Sequence, residues 1–351
     1  MDHDGSKASP AQNPACFMHV PKCAGMSIIA SLRDALPPEA FAPWMYDAPV
    51  LGDFDAALLK PKDRAAIVIG PEEVRALGNY RAIVGHFCLD TLLAVTHPDS
   101  ICTVLREPRA RLLSVYMYWR VPGLDFGGWH GLRPLSECLS TPQVAHHTDN
   151  KLCRMLLDGD PRLPRNGFAS QSDVAGIAAD AIERLMTLGF VGVLEVGDVW
   201  DGIGEIFGVR LRPARVNVTR DLAPIIMRPG EALVDSDTLD LIEQRCAADA
   251  IVYDYVLART GKDEAERARV RRTAFATALV QLGDLVGNSE TADSSAATIQ
   301  RLSDDLQRSR AELELTREWL SSIQHSASWR VTAPLRATKR RLGSGNPLAT
   351  D

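Results

Sequence analysis

ACFMHVPKCAGMSIIASLRDAL, residues 15–36, holds an apolar run, a turn and an amphipathic segment in succession. Residues 15–20 read as a strand buried on both faces of a parallel sheet, and Pro21 ends it. Ser27–Leu36 places apolar residues at helical spacing, and Pro37-Pro38 stops the helix. The turn between them contains Lys22, a mobile positive charge, and Gly25, which lets the backbone approach a ligand closely. Ser27 adds a hydroxyl at the helix start. The N–H groups of a helix that opens after such a turn bind anions. The expected fold is therefore α/β: a P-loop-like parallel sheet flanked by helices.

Three further strands are expected at 81–85 (RAIVG), 100–105 (SICTVL) and 189–194 (GFVGVL). Helices are expected at 110–120, 143–157, 172–188, 198–207 and 235–260, with short segments over 39–80 and a Gly-, Pro- and Trp-rich loop at 121–134. The division that follows is a disordered leader at 1–14 and one compact domain at 15–260, then a helical segment with a linker at 261–297. Ile299, Leu302, Leu306, Leu313, Leu320 and Ile323 mark either a short coiled coil at 298–325, able to form a homodimer, or one amphipathic helix packed on its own domain. A basic tail at 326–351, with Arg330, Arg336, Lys339, Arg340 and Arg341, is either a peripheral contact to a membrane or polysaccharide or a solvated end.

Of 351 residues, 46% are hydrophobic and 24% charged, enough for a large core. Lys and Arg number 39 against 45 Asp and Glu, a net charge of −6. That balance excludes a nucleic-acid partner by electrostatics, so an anion site has to be a local basic cluster. The seven cysteines are scattered with no CxxC pair, which indicates neither a disulfide framework nor a zinc site. No metal is expected. The polar start and the lack of any long apolar run point to a cytoplasmic protein, at most peripheral at the inner membrane face.

A second motif, LREPRARLLSVYMYWR, spans 105–120. Arg106 follows a strand and Ser114 lies on the next helix, so the two can converge on one phosphate. Arg109 and Arg111 add positive potential. Together, HVPKCAGMS and LREPRARLLSVY resemble the sulfotransferases that use 3′-phosphoadenosine 5′-phosphosulfate (PAPS), in the branch of the heparan sulfate 2-O-sulfotransferases and their bacterial relatives. IVGHF (83–87), DNKLCRML (149–156), FVGVLE (190–195), VNVTRDLAP (216–224) and DAIVYDYV (249–256) extend the likeness over about residues 15–260.

The resemblance implies a PAPS donor held at its 5′-phosphosulfate side by Pro21, Lys22, Cys23, Ala24, Gly25, Met26 and Ser27. Its 3′-phosphate would lie on Arg106 and Ser114. Lys22 and His86 would be catalytic, the lysine neutralising the leaving phosphate and the histidine acting as general base. His19 would orient the loop, and His146 and His147 either contact the acceptor or lie on a helix surface. SASWRVTAPLR (326–336) resembles tails of bacterial surface-polysaccharide glycosyltransferases, and that resemblance implies a glycan hydroxyl as acceptor, of a bacterial surface polysaccharide. The sequence departs from the family at Cys23 and Met26, where the loop usually carries threonine, so Met26→Thr is expected to tighten donor binding. Two other readings stand beside this one. A nucleotide kinase lacks its GxxxxGK[ST] loop here. A non-catalytic assembly protein would use the α/β domain as a binding module and the coiled coil as its function.

Overall fold

The computed structural model describes residues 13–52, 61–70, 72–120, 133–197, 199–214 and 234–291. In chain order the main elements are β1 (Ala15–Met18), α1 (Gly25–Ala35), β2 (Tyr46–Asp47), α2 (Ala48–Leu51), α3 (Pro61–Ile67), β3 (Val68–Ile69), β4 (Ala82–Gly85) and α4 (Leu89–Leu93). They continue with β5 (Ile101–Leu105), α5 (Pro108–Trp119), α6 (Leu135–Ser140), α7 (Ala145–Thr148), α8 (Lys151–Leu156), α9 (Val174–Leu185), β6 (Phe190–Val193) and α10 (Val199–Phe207). The last are α11 (Ser236–Arg245), α12 (Ala247–Ala258) and α13 (Glu264–Thr291).

Four strands form one parallel sheet in the order β4-β1-β5-β6, and β2 and β3 make a second short parallel pair. Phe17 stands opposite Val84 on one side and Cys102 on the other. Because side chains alternate along a strand, β1 feeds two cores. Cys16 and Met18 pack with Ile83, Leu152, Ile177 and Val252; Phe17 packs with Val84, Ile28, Leu32 and Ile203. Burial on both faces is why these strands read as continuous apolar runs.

The chain leaves β1 for β4 on one side and then crosses to β5 on the other. Adjacent loops at the carboxyl ends of β1 and β5 therefore flank a topological switch point, where open parallel sheets place their ligands. Those loops are the two motif loops, 19–24 and 106–107.

The expected helices at 143–157 and 235–260 are each broken. Asn150 sits in the left-handed region (φ 45°, ψ 53°) and separates α7 from α8, while Cys246 separates α11 from α12. Apolar periodicity cannot register either break, because the residues on both sides still face the core. The two breaks cap each other. The side-chain oxygen of Asn150 accepts the N–H groups of Ala248 (2.8 Å) and Asp249 (3.2 Å), and the Asp249 carboxylate accepts those of Leu152 and Cys153 (both 3.0 Å). First-turn donors of both helices are satisfied this way.

The compact unit runs to Ser289, because α13 buries Ala278 and Leu282 against α5 and α11. The expected coiled coil at 298–325 and the basic tail at 326–351 lie outside the described residues. All seven cysteines are buried, and none is in a disulfide. No described helix is long and apolar enough to cross a membrane.

Candidate functional site

The β1–α1 loop is strained by design of its sequence. Lys22 (φ 69°) and Ala24 (φ 58°) both occupy the left-handed region although neither is glycine. Each such residue costs about 1–2 kcal/mol, and strain of this kind is retained where it shapes a ligand cradle. Alternate positive φ values turn successive N–H groups towards one side, the geometry of an anion nest. No described side chain caps α1; in its first turn the Ser27 N–H donates to the Ala24 carbonyl (3.0 Å), which leaves the N–H groups of Gly25 and Met26 for an anion.

Gly25 is required by a close approach. A Cβ there would lie 1.8 Å from Nε2 of His19, whose ring rests on the glycine. That ring is part of a stack: Phe17 at 5.7 Å, then His86 at 4.2 Å, and Tyr46 beyond His86 at 4.8 Å. The backbone locks the stack, with His86 N–H donating to the Met45 carbonyl (2.7 Å) and Asp47 N–H to the His86 carbonyl (3.1 Å). Gly85 admits that approach, since a Cβ there would lie 2.5 Å from the Met45 oxygen.

Nδ1 of His86 lies 2.7 Å from the carbonyl oxygen of His19. A carbonyl only accepts, so Nδ1 carries the proton and Nε2 of the neutral ring has a free lone pair. Burial, with Lys151 and Lys22 adding to it, brings the His86 pKa down to about 4 against the opposing effect of the hydrogen bond it donates to the His19 carbonyl. His19 is pushed well below the usual range by burial, His86 and Lys22. Both rings are neutral at pH 7, and Nε2 of His86 can take a proton.

Lys22 is half-buried, with Nζ 4.2 Å from the centre of the Tyr118 ring. Burial and then the Arg106 guanidinium lower its pKa to about 8. Arg106 donates to the Lys22 carbonyl at 3.2 Å, which ties the two motif loops together. Arg111 follows on α5, buried and donating from Nη2 to the His147 carbonyl at 3.3 Å. Lys22, Arg106, Arg111 and Lys151 belong to no ion pair among the described residues. Arg109 differs: Glu107 (2.6 Å) and Glu243 (2.8 Å) neutralise it, and it lies over Phe275. The expectation that Arg109 adds positive potential is corrected accordingly.

Ser114 is buried three residues beyond Arg111, and its hydroxyl bonds no described residue. Ser27 is half-buried in the first turn of α1. Cys23 is buried, with its thiol pushed up to about 12 mainly by burial, whereas the Met26 side chain is exposed. Pro21 and Ala24 contribute backbone only. His146 is buried and His147 packs edge-on against Trp119 at 5.5 Å, so neither is a helix-surface residue.

A cavity of about 330 Å³ is lined in part by Val50, Cys88, His146, Lys151, Asp158 and Arg165. Lys151 is 1% exposed and donates to the Val50 carbonyl at 2.8 Å. Burial, partly offset by Cys88, brings its pKa to about 7. His86 does not line this cavity, although it feels the charge of Lys151, which does, as well as that of Lys22. Sequence reasoning did not single out Lys151, nor Asp47, which accepts N–H from Cys88 (2.6 Å) and Val50 (3.2 Å) and the Thr91 hydroxyl (2.8 Å). No sequence signal marks either one, because their partners are distant along the chain. No protein-family model matches this chain, and no curated protein matches it.

Proposed function

We propose that the chain is a sulfotransferase that moves a sulfuryl group from PAPS to a carbohydrate hydroxyl, on a P-loop-like site. The observation that carries the reading is the juxtaposition at the switch point. A helix N-terminus without a described side-chain cap, two cations in no ion pair among the described residues (Lys22 and Arg106, joined through the Lys22 carbonyl) and a neutral histidine with its Nε2 lone pair free meet around the β1–α1 loop. Unpaired cations around strained loop amides fit a ligand carrying phosphate groups.

The donor, when bound, supplies an activated sulfuryl group whose leaving group is 3′,5′-ADP. Loop amides and Ser27 hold its 5′ side. Lys22 moves from the Tyr118 ring to neutralise charge developing on the bridging and phosphate oxygens. Arg106 and Ser114 take the 3′-phosphate. His86 accepts the acceptor's hydroxyl proton at Nε2, while the His19 carbonyl holds Nδ1–H and so the tautomer. The cavity lined by Cys88, His146 and Lys151 receives the acceptor, a sugar unit of a surface polysaccharide. Little covalent chemistry falls to the protein, and its work is positioning and charge stabilisation.

The test is thermal stabilisation by 3′,5′-ADP compared with 5′-AMP and ATP, followed by radiolabelled sulfuryl transfer to glycan acceptors. A ligand at 100 times its Kd adds about 2.7 kcal/mol. Stabilisation selective for 3′,5′-ADP and lost in Arg106→Ala is expected. Equal responses to 3′,5′-ADP and 5′-AMP would reject the donor assignment.

A further inference from the structure

Arg111 is a charged side chain that the fold leaves largely unused. It is 2% exposed, and Nε and Nη1 have no hydrogen-bond partner among the described residues. Buried N–H donors left unpaired cost free energy that folding alone does not recover. The carboxylates near it are committed elsewhere. Glu107 is bonded to Arg109 and the Ala110 N–H, Glu195 to the Glu107 N–H and the Tyr253 hydroxyl, and Asp249 to Leu152 and Cys153.

A small cavity separates Arg111 from the loop, lined also by Val20, Cys23, Arg106, Asp249 and Tyr253. Its volume is about 10 Å³, room for one atom-sized group such as a water or a single oxygen. Cys23 feels the charge of both Arg111 and Arg106, so the two guanidiniums approach the loop together.

We propose that Arg111 is a further binding residue of the loop: its free N–H groups take one anionic oxygen of the phosphate-bearing ligand held at residues 19–27. Arg106 grips the ligand from the more exposed side, and Arg111 from beneath. Cationic donors kept unsatisfied in the free protein at a stability cost are satisfied when such a ligand binds. The inference rests on the loop being a phosphate site, as proposed above, and not on the sulfuryl chemistry.

The test is calorimetric titration of the full chain at about 10 °C, where variants stay folded, with inorganic phosphate, 3′,5′-ADP, 5′-AMP and adenosine. Arg111→Gln is expected to weaken the phosphate-bearing probes at least about tenfold and to leave adenosine unchanged. Arg111→Lys, which keeps the charge, is expected to recover part of that loss. The melting temperature of unliganded Arg111→Gln is expected to equal or exceed that of the wild type, since an unpaired buried charge is removed. A purely structural arginine would instead lower it and leave affinity alone. Loss confined to inorganic phosphate assigns the oxygen to the free ion, and loss shared with 3′,5′-ADP assigns it to the nucleotide. Affinities within about twofold of wild type in both variants overturn the proposal. A wild type that binds phosphate yet treats 3′,5′-ADP and 5′-AMP alike rejects the donor reading and leaves this inference standing.

Discussion

Replacing Gly25 with alanine should strain the loop and the proton acceptor together. The new Cβ would meet His19 at 1.8 Å from Nε2, 2.0 Å from Cδ2 and 2.2 Å from Cε1. Relaxed carbon contacts begin near about 3.5 Å, so the ring or the helix start has to retreat by roughly 1.7 Å. His19 has nowhere to go: it is 5% exposed and stacked between Phe17 and His86. Overpacking of this kind costs about 1–3 kcal/mol. For a domain of this size that lowers the melting temperature by roughly 2–12 °C, at about 2–4 °C per kcal/mol. The displacement passes to His86 through the stack and the His19 carbonyl, and misplacing a catalytic group by about 1 Å costs up to about a hundredfold in rate. The assay is a double-mutant cycle of Gly25→Ala and His19→Ala, read by melting temperature and by 3′,5′-ADP affinity. His19→Ala vacates the space, so the double variant should be about as stable as His19→Ala alone, with a coupling of about 1–3 kcal/mol. A Gly25→Ala protein that melts with the wild type, or a cycle with no coupling, would refute the argument.

His86→Ala is expected to abolish sulfuryl transfer while 3′,5′-ADP binds within about twofold of wild type, and full retained turnover would remove His86 from the mechanism. Because its pKa lies at about 4, the acid limb of the kcat/KM profile should fall near pH 4, not near the usual histidine value. Lys22 titrates at about 8 when free and is held protonated by a bound anion, so nucleotide binding is complete below pH 8 and weakens above it. The expected loss is about tenfold at one pH unit above the free pKa, absent in Lys22→Arg. Asn150→Ala removes the cap on Ala248 and Asp249 while keeping a left-handed residue, and should cost about 2–3 kcal/mol in urea unfolding. Asn150→Gly should cost less, because glycine accepts that backbone conformation.

β1 and β5 were legible because both their faces are buried, which writes an apolar run into each, broken in β5 only by Thr103, whose hydroxyl donates to the Met18 carbonyl. The loop was legible because a strand end, Lys22, Gly25 and a helix start follow one another within a few residues. The helix breaks at Asn150 and Cys246 were not legible. Each is stabilised by groups about a hundred residues away, and the flanking periodicity continues through the break. Of the arginines in LREPRAR, the spacing could not say which stays unpaired. Glu243, contributed by α11, neutralises Arg109, and nothing described neutralises Arg111.

From its own order of residues the chain dictates a parallel α/β sheet and the position of the β1–α1 loop, since both rest on neighbours along the chain. The His19–His86 stack, the tautomer that the His19 carbonyl enforces, the buried Lys151 and the Nε and Nη1 donors of Arg111 left without a described partner come from contacts between distant segments. Burial and long-range hydrogen bonding set those charges and protons, and neither exists until the sheet brings the carboxyl ends of β1, β4 and β5 side by side.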